Sequence, residues 1–516
     1  MRKIQINGQD LTLADVVQVA KGTATVEIAP EAWPGIRASR ACVEQVVRSG
    51  RPVYGVNTGF GKLSEVTIAP EDAAQLQRNL IRSHACAVGP ALPTATVRAI
   101  MLLRANALAK GFSGIRPDTL QLLVDCLNRG VHPVIPSQGS LGASGDLAPL
   151  AHLALLLMGE GEADVEGERM ASSRALHRAR LTPVVLQEKE GLALINGTQA
   201  MTAIGVLAWS RAERLCTIAD GIAALTFEAL QGVTDALSAA VHALRPQPGQ
   251  VAAAASLSAW LSGSGLTTRQ GELRVQDAYS LRCIPQVHGA SRQCLTHVGD
   301  VLHTEINSAT DNPLIFADTG EIISGGHFHG QPVALVMDYM KVGIAEMANI
   351  SERRIERLVN PSLSGLPAFL ARVPGLSSGL MILQYTAASL VSENKVLAHP
   401  ASVDSIPSSA GQEDHVSMGT TAARQASAIV DNVARVLAIE AITAAEALSI
   451  QHVTAGMAPA TRRFYELIRE VVAEVLEDRS LSADIEALAE QLPEWAMEVC
   501  PTSARAATLV ESSAGQ

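Results

Sequence analysis

Apolar residues recur at helical spacing along most of this chain. The pattern predicts amphipathic helices over 35–50 and 70–88, and again over 94–110 and 116–130. A long helical run follows from 198 to 245 and another from 288 to 310, and from 332 to 456 the chain is overwhelmingly helix-forming. Within that last stretch, 416–450 is apolar nearly all round, as expected of a helix enclosed by others in a bundle. Residues 459–500 return to an amphipathic pattern, and 503–516 read as a frayed end. Extended structure is predicted at two places in this pattern. One is the weakly alternating stretch 1–30, centred on the hairpin-type dipeptide Asn7-Gly8. The other is a pair of short pieces on either side of Thr319-Gly320.

Composition sharpens this picture. At 516 residues the chain can bury a large core. It is 47% hydrophobic but only 3% aromatic, with Ala and Leu dominant, which favours helices packed on helices over a β-sandwich. The fold expected is mainly α. A large helical bundle would occupy 111–516, and a smaller α/β-containing N-terminal region would occupy 1–110. A net charge of −11 without a basic run argues against nucleic acid and anionic membrane as partners. The seven cysteines are scattered and form no CxxC pair, which suits a reducing cytoplasm. Met1–Gly8 lacks the apolar core of a signal peptide, and no apolar run reaches membrane-spanning length. A soluble cytoplasmic protein is expected.

One stretch stands apart chemically: Gly139-Ser140-Leu141-Gly142-Ala143-Ser144-Gly145-Asp146-Leu147-Ala148-Pro149-Leu150. Gly145 has no Cβ, so its amide nitrogen can approach the Ala143 carbonyl carbon closely. Ring closure there, followed by dehydration of Ser144, yields 4-methylideneimidazol-5-one (MIO), an electrophile made from the chain itself. A plain helix cap competes with this reading, with Ser144 or Asp146 as N-cap of a helix that starts at Leu147. The two are compatible, because a helix N-terminus beside the ring would make it more electrophilic. A hydrolase nucleophile elbow is excluded, since it needs Gly two residues on either side of the serine and Asp146 stands after Gly145.

Other polar islands interrupt the helical pattern. The loop Tyr54–Lys62 is glycine-punctuated but lacks Walker A spacing, and a simple turn would account for it. Asn196 breaks an apolar segment, where it either satisfies backbone or holds a substrate carboxylate or amine. Tyr279 and Arg282 share a face if helical; the arginine suits either a surface salt bridge or a carboxylate. His327 and His329 would share one face of a strand, but no third ligand follows at metal-site spacing, so no metal is expected. Asp414 reads as helix capping, while Glu413 beside His415 could equally serve a cationic or imidazole-bearing substrate.

Taken together, these segments resemble the aromatic amino acid ammonia-lyases and the related aminomutases. The resemblance runs through Gly142–Leu150, Tyr54–Gly61, Asn196–Gln199, Gln276–Arg282, Asp311–Pro313, Ser392–Lys395 and Gln412–His415, in the family's order over most of the chain. It implies a helical-bundle homotetramer with sites shared between subunits, and an MIO group formed autocatalytically from Ala143-Ser144-Gly145. Tyr54 would take the substrate's β-proton, provided nearby positive potential lowers its pKa from about 10. Arg282, helped by Asn196, would clamp the carboxylate. Tyr279 and Gln276 would orient the ring and amine, and Phe328 would pack on the cofactor. Ser83, His84 and Glu413 resemble the members that act on histidine, implying deamination of L-histidine to trans-urocanate and ammonia. Other aromatic amino acids, as lyase or 2,3-aminomutase substrates, are the alternative. Three positions depart from the family's pattern. His327 and Gly411 each stand where Asn is usual, and Gln331 stands where Glu is frequent.

Overall fold

The Gly419–Gln451 helix is enclosed as its apolar sequence predicts: from Val436 to Leu448 every side chain is buried. In this computed structural model, which describes residues 1–501, nineteen α-helices and nine short strands make up the regular structure. The expected frayed end at 503–516 lies outside the described residues. The mainly α fold expected from composition is what the structure has. No helix among the described residues is long and apolar enough to cross a membrane, and no disulfide joins the cysteines.

The chain divides into two compact units. The first comprises Met1–Leu207, Val301–Asp338 and Pro400–Arg424. The second comprises Ala208–Asp300, Tyr339–His399 and the described residues from Gln425 onward.

In the first unit, Arg2–Ile6 and Ala24–Ile28 do form strands, but not a hairpin. They pair in parallel, and the Leu13–Ala20 helix lies between them in sequence. Asn7 explains the difference. Its side-chain oxygen accepts from the amides of Gln9 (2.9 Å) and Asp10 (3.2 Å), so the dipeptide makes an Asx turn rather than a two-residue hairpin loop. Thr12 and Asp15 then form a capping box that starts the helix. Helices Ala32–Ser49, Ala73–His84, Thr94–Ala109 and Pro117–Asn128 lie where periodicity predicts. The pieces flanking Thr319-Gly320 form an antiparallel pair, Leu314–Phe316 with Glu321–Ile323.

The run predicted over 198–245 stops early, at Ala229. Gln231 adopts a left-handed φ of +51°, and the Gly232 amide returns to Phe227 O at 2.8 Å, a Schellman-type stop with Gln where Gly is usual. In the second unit Glu440 accepts from Thr226 Oγ1 (2.8 Å) and from Arg354 Nε and Nη2 (2.5 and 2.8 Å), with both charged side chains fully buried. Glu440→Ala strands the guanidinium away from water. It should lower stability by about 3–5 kcal/mol, read as a fall in the denaturant midpoint; an unchanged midpoint would show the pair to be dispensable.

Candidate active site

The Ala143-Ser144-Gly145 stretch is bent between two glycines in the left-handed region, Gly142 (φ +67°) and Gly145 (φ +72°). A Cβ on Gly145 would collide with the backbone oxygen of Gly197, so only glycine fits there. The Asp146 amide donates to that same Gly197 oxygen at 2.7 Å. Directly after the bend the Leu147–Leu157 helix begins, with its N-terminus at the tripeptide.

Asp146 occupies the N-cap position, yet its carboxylate makes no bond to its own helix. It accepts instead from Ser140 Oγ (2.8 Å), Thr420 Oγ1 and the Met201 amide (2.8 Å), in the first turn of the Gln199–Ala229 helix. Burial pushes its pKa up, opposed by these donors. Asn196 donates through Nδ2 to Ser144 O at 2.9 Å. Behind it lies Arg104, fully buried, which donates to the carbonyls of Asn196 (2.9 Å) and Ala193 (2.5 Å) and to Gln199 Oε1 (2.8 Å). Sequence reasoning missed Arg104; its one signal is a cation in the most apolar stretch of the Thr94–Ala109 helix, which also carries Arg98.

On the other side, Ser144 Oγ donates to Glu413 Oε1 at 3.0 Å, and Ser408 Oγ donates to Glu413 Oε2 at 2.9 Å. His84 places Nδ1 2.8 Å from Leu80 O, so that nitrogen carries the proton and Nε2 is left as an acceptor. Burial holds the His84 pKa below its usual value, while Leu80 and Glu413 pull the other way. Ser83 Oγ lies 3.0 Å from the same His84 nitrogen. A cavity of about 730 Å³ is lined by Tyr54, His84, Ala143, Ser144, Asn196, Phe328 and Glu413. A smaller pocket of about 210 Å³ shares His84, Ala143, Ser144 and Glu413 with it and adds Ser83 and Gly145.

Tyr54 departs from expectation. Burial raises its pKa, Glu413 and Asp311 raise it further, and only a long contact from the Gly61 amide (3.5 Å) opposes them. The lowering potential expected around this phenol is absent from the groups acting on it here.

Gln276, Tyr279 and Arg282 belong to the second unit and do not line this cavity. Tyr279 and Arg282 do share a face, on the short Tyr279–Arg282 helix, with the guanidinium 4.6 Å from the Tyr279 ring centroid. Gln276 and Tyr279 are exposed. The residues around His327 and His329 are not a strand. His327 is exposed, and His329 stacks on His415 with ring centroids 5.7 Å apart. Asp414 caps no helix, because the next one begins at Gly419. Of the other departures, Gly411 (φ +83°) is exposed in the turn before Gln412, and the Gln331 amide donates to His329 Nδ1 at 3.3 Å.

Comparison with known proteins accords with this geometry. A family described as aromatic amino acid lyase matches residues 11–470. A histidine ammonia-lyase of Geobacillus thermodenitrificans is 59% identical over 486 residues, 94% of this chain and 96% of that protein. Among solved structures, a histidine ammonia-lyase from Trypanosoma cruzi superposes with a TM-score of 0.91 at 42% identity, covering 99% of this chain and 97% of that one. A tyrosine aminomutase from Streptomyces globisporus gives 0.92 at 38% identity, covering 100% and 99%. With a family match and full-length relatives of this similarity, the chain belongs to the aromatic amino acid lyase family.

Proposed function

We propose that this chain is a carbon–nitrogen lyase that removes ammonia from L-histidine to give trans-urocanate. The observation that carries the reading is the placement of His84 and Glu413 with Ser144 on one cavity. His84 offers an acceptor and Glu413 a carboxylate, which together suit an imidazole and its amine. A phenyl ring asks for neither.

We further propose that Ala143-Ser144-Gly145 condenses into the methylidene-imidazolone. What supports this is the bare Gly145, the bend at Gly142, and the Asn196 amide on the Ser144 carbonyl oxygen, the oxygen the ring retains. Such a ring supplies an electrophile for the substrate amine and so makes ammonia a better leaving group. The protein's own groups do the rest. Asn196 and the N-terminus of the Leu147–Leu157 helix place positive potential at the tripeptide. Tyr54 takes the β-proton, Phe328 packs against the tripeptide, and Glu413 with Ser83 and His84 receives the substrate's imidazole and amino end.

The carboxylate clamp comes from a second copy. Gln276, Tyr279 and Arg282 are not among the residues that line the cavity, and Arg282 Nε has no hydrogen-bond partner among the described residues. Large apolar side chains also lie exposed, among them Leu335 and Val342 on Gln331–Val359 and Ile382, Tyr385 and Val396 on Met381–Leu397. A homotetramer with shared sites accounts for both features. The reducing cell interior is its proposed compartment.

Two experiments test this function. Glu413→Gln should slow histidine turnover roughly 10- to 100-fold, the effect of leaving one buried polar group unpaired, while near-UV absorbance of the ring persists. Undiminished turnover contradicts the role of Glu413. The second is the pH profile. Tyr54 must be ionised to accept a proton, and its pKa in the single chain is raised. Activity should therefore rise with pH as the phenol ionises, and Arg282→Gln should move that rise to higher pH by removing a cation. A rise that stays in place means Arg282 does not face Tyr54.

A further inference from the structure

We propose that the turn Ser417–Thr420, at the start of the Gly419–Gln451 helix, is the template on which Ala143-Ser144-Gly145 closes into its ring. The inference rests on the reading of that tripeptide given above.

This one turn holds the tripeptide from both flanks. On the N-terminal side, Ser417 Oγ donates to Gly142 O at 3.0 Å, and the Met418 amide donates to Leu141 O at 3.0 Å. On the C-terminal side, Thr420 Oγ1 donates to Asp146 Oδ1, the residue directly after Gly145. Ser417, Thr420, Gly142 and Asp146 are all buried. Met418 carries a left-handed φ of +55°, a conformation that non-glycine residues keep only where surrounding contacts enforce it. A Cβ on Gly142 would collide with Ser417 Oγ, so the bend and the clamp fit each other closely.

The chemistry explains why such a clamp is needed. Ring closure joins Gly145 N to the Ala143 carbonyl carbon. The Ala143 oxygen departs as water with the amide protons of Gly145 and Ser144, leaving a carbon–nitrogen double bond. A second water takes the Ser144 Cα proton and hydroxyl and leaves the methylidene. No oxidant or reductant enters. The difficult part is the approach of an amide nitrogen, a poor nucleophile, to an amide carbon two residues back. A chain with glycine at 142 and 145 samples many other shapes. Pinning both flanks raises the effective concentration of the nitrogen at that carbon. Ser417 and Thr420 reach the tripeptide only through its neighbours, so they are positioning residues.

The test follows dehydration rather than turnover. Full-length wild type, Ser417→Ala, Thr420→Val and the conservative Thr420→Ser are followed by intact mass from the time of synthesis, with helical content measured alongside. Wild type and T420S should reach the complete loss of two waters. S417A and T420V should fold with wild-type helical content yet lose the waters roughly 10-fold or more slowly, with near-UV absorbance lagging to match. If S417A fails to fold, T420V against T420S decides. Equal dehydration in that pair, or wild-type dehydration in S417A and T420V, overturns the clamp alone. A wild type that loses no water overturns the reading of the tripeptide, and the clamp with it.

Discussion

Ser144→Ala is expected to fold and assemble like the wild type and to lose several orders of magnitude in rate. Only a β-hydroxyl can leave to give the methylidene, so alanine at this position stops the ring short of its reactive form. The substitution is mild for the fold. The Ser144 hydroxyl bonds to the Glu413 carboxylate at 3.0 Å, and removing one such bond costs about 1.5–3 kcal/mol. Intact mass should show no loss of the second water, and the near-UV band should be missing. A variant that kept the wild-type rate would mean that the substrate amine meets some other electrophile.

Tyr54→Phe, which loses the proton acceptor, is expected to be slower by about 10²–10⁴-fold, and Arg282→Ala, which loses the carboxylate clamp, to be nearly inactive as well, yet the two should recover activity when co-expressed. Tyr54 lines the cavity and Arg282 does not. If every site draws Tyr54 from one copy and Arg282 from another, random mixing leaves roughly a quarter of sites intact. Recovery near that fraction supports the shared site. No recovery above the two separate activities would place both residues on the same copy.

How far the sequence reveals this molecule depends on whether the deciding contact is local. The long helices are legible because a 3.6-residue period persists over many turns, as in Gln331–Val359, or because the apolar run is far too long for a strand, as in Gly419–Gln451. The parallel pairing of Arg2–Ile6 with Ala24–Ile28 is not, since alternation is the same for parallel and antiparallel partners and Asn7-Gly8 points to a hairpin. The stop at Gln231 is hidden because a non-glycine residue takes the left-handed position. Within the site, Ala143-Ser144-Gly145 stands out locally as a tight small-residue bend, open to a ring-forming reading or to a plain helix cap. The convergence of Tyr54, His84, Asn196 and Glu413 on it does not follow from spacing and came through family resemblance. Ser417 and Thr420 are illegible for another reason. They act through hydrogen bonds to backbone or to Asp146, contacts that leave no pattern in the chain. Arg104 shows only as a charge in a largely apolar helix, and nothing local says that it reaches three acceptors. Gln276, Tyr279 and Arg282 are legible only through their motif, and none of them lines the cavity.

The most direct measurement is turnover of the purified wild-type protein on L-histidine, L-tyrosine and L-phenylalanine, with each product read by its absorbance and identified by mass. The account predicts trans-urocanate and ammonia from L-histidine, with the other two amino acids consumed more slowly by roughly 10- to 100-fold for each imidazole-facing polar group left unpaired. Faster consumption of tyrosine or phenylalanine, or a β-amino acid as the product, would contradict it.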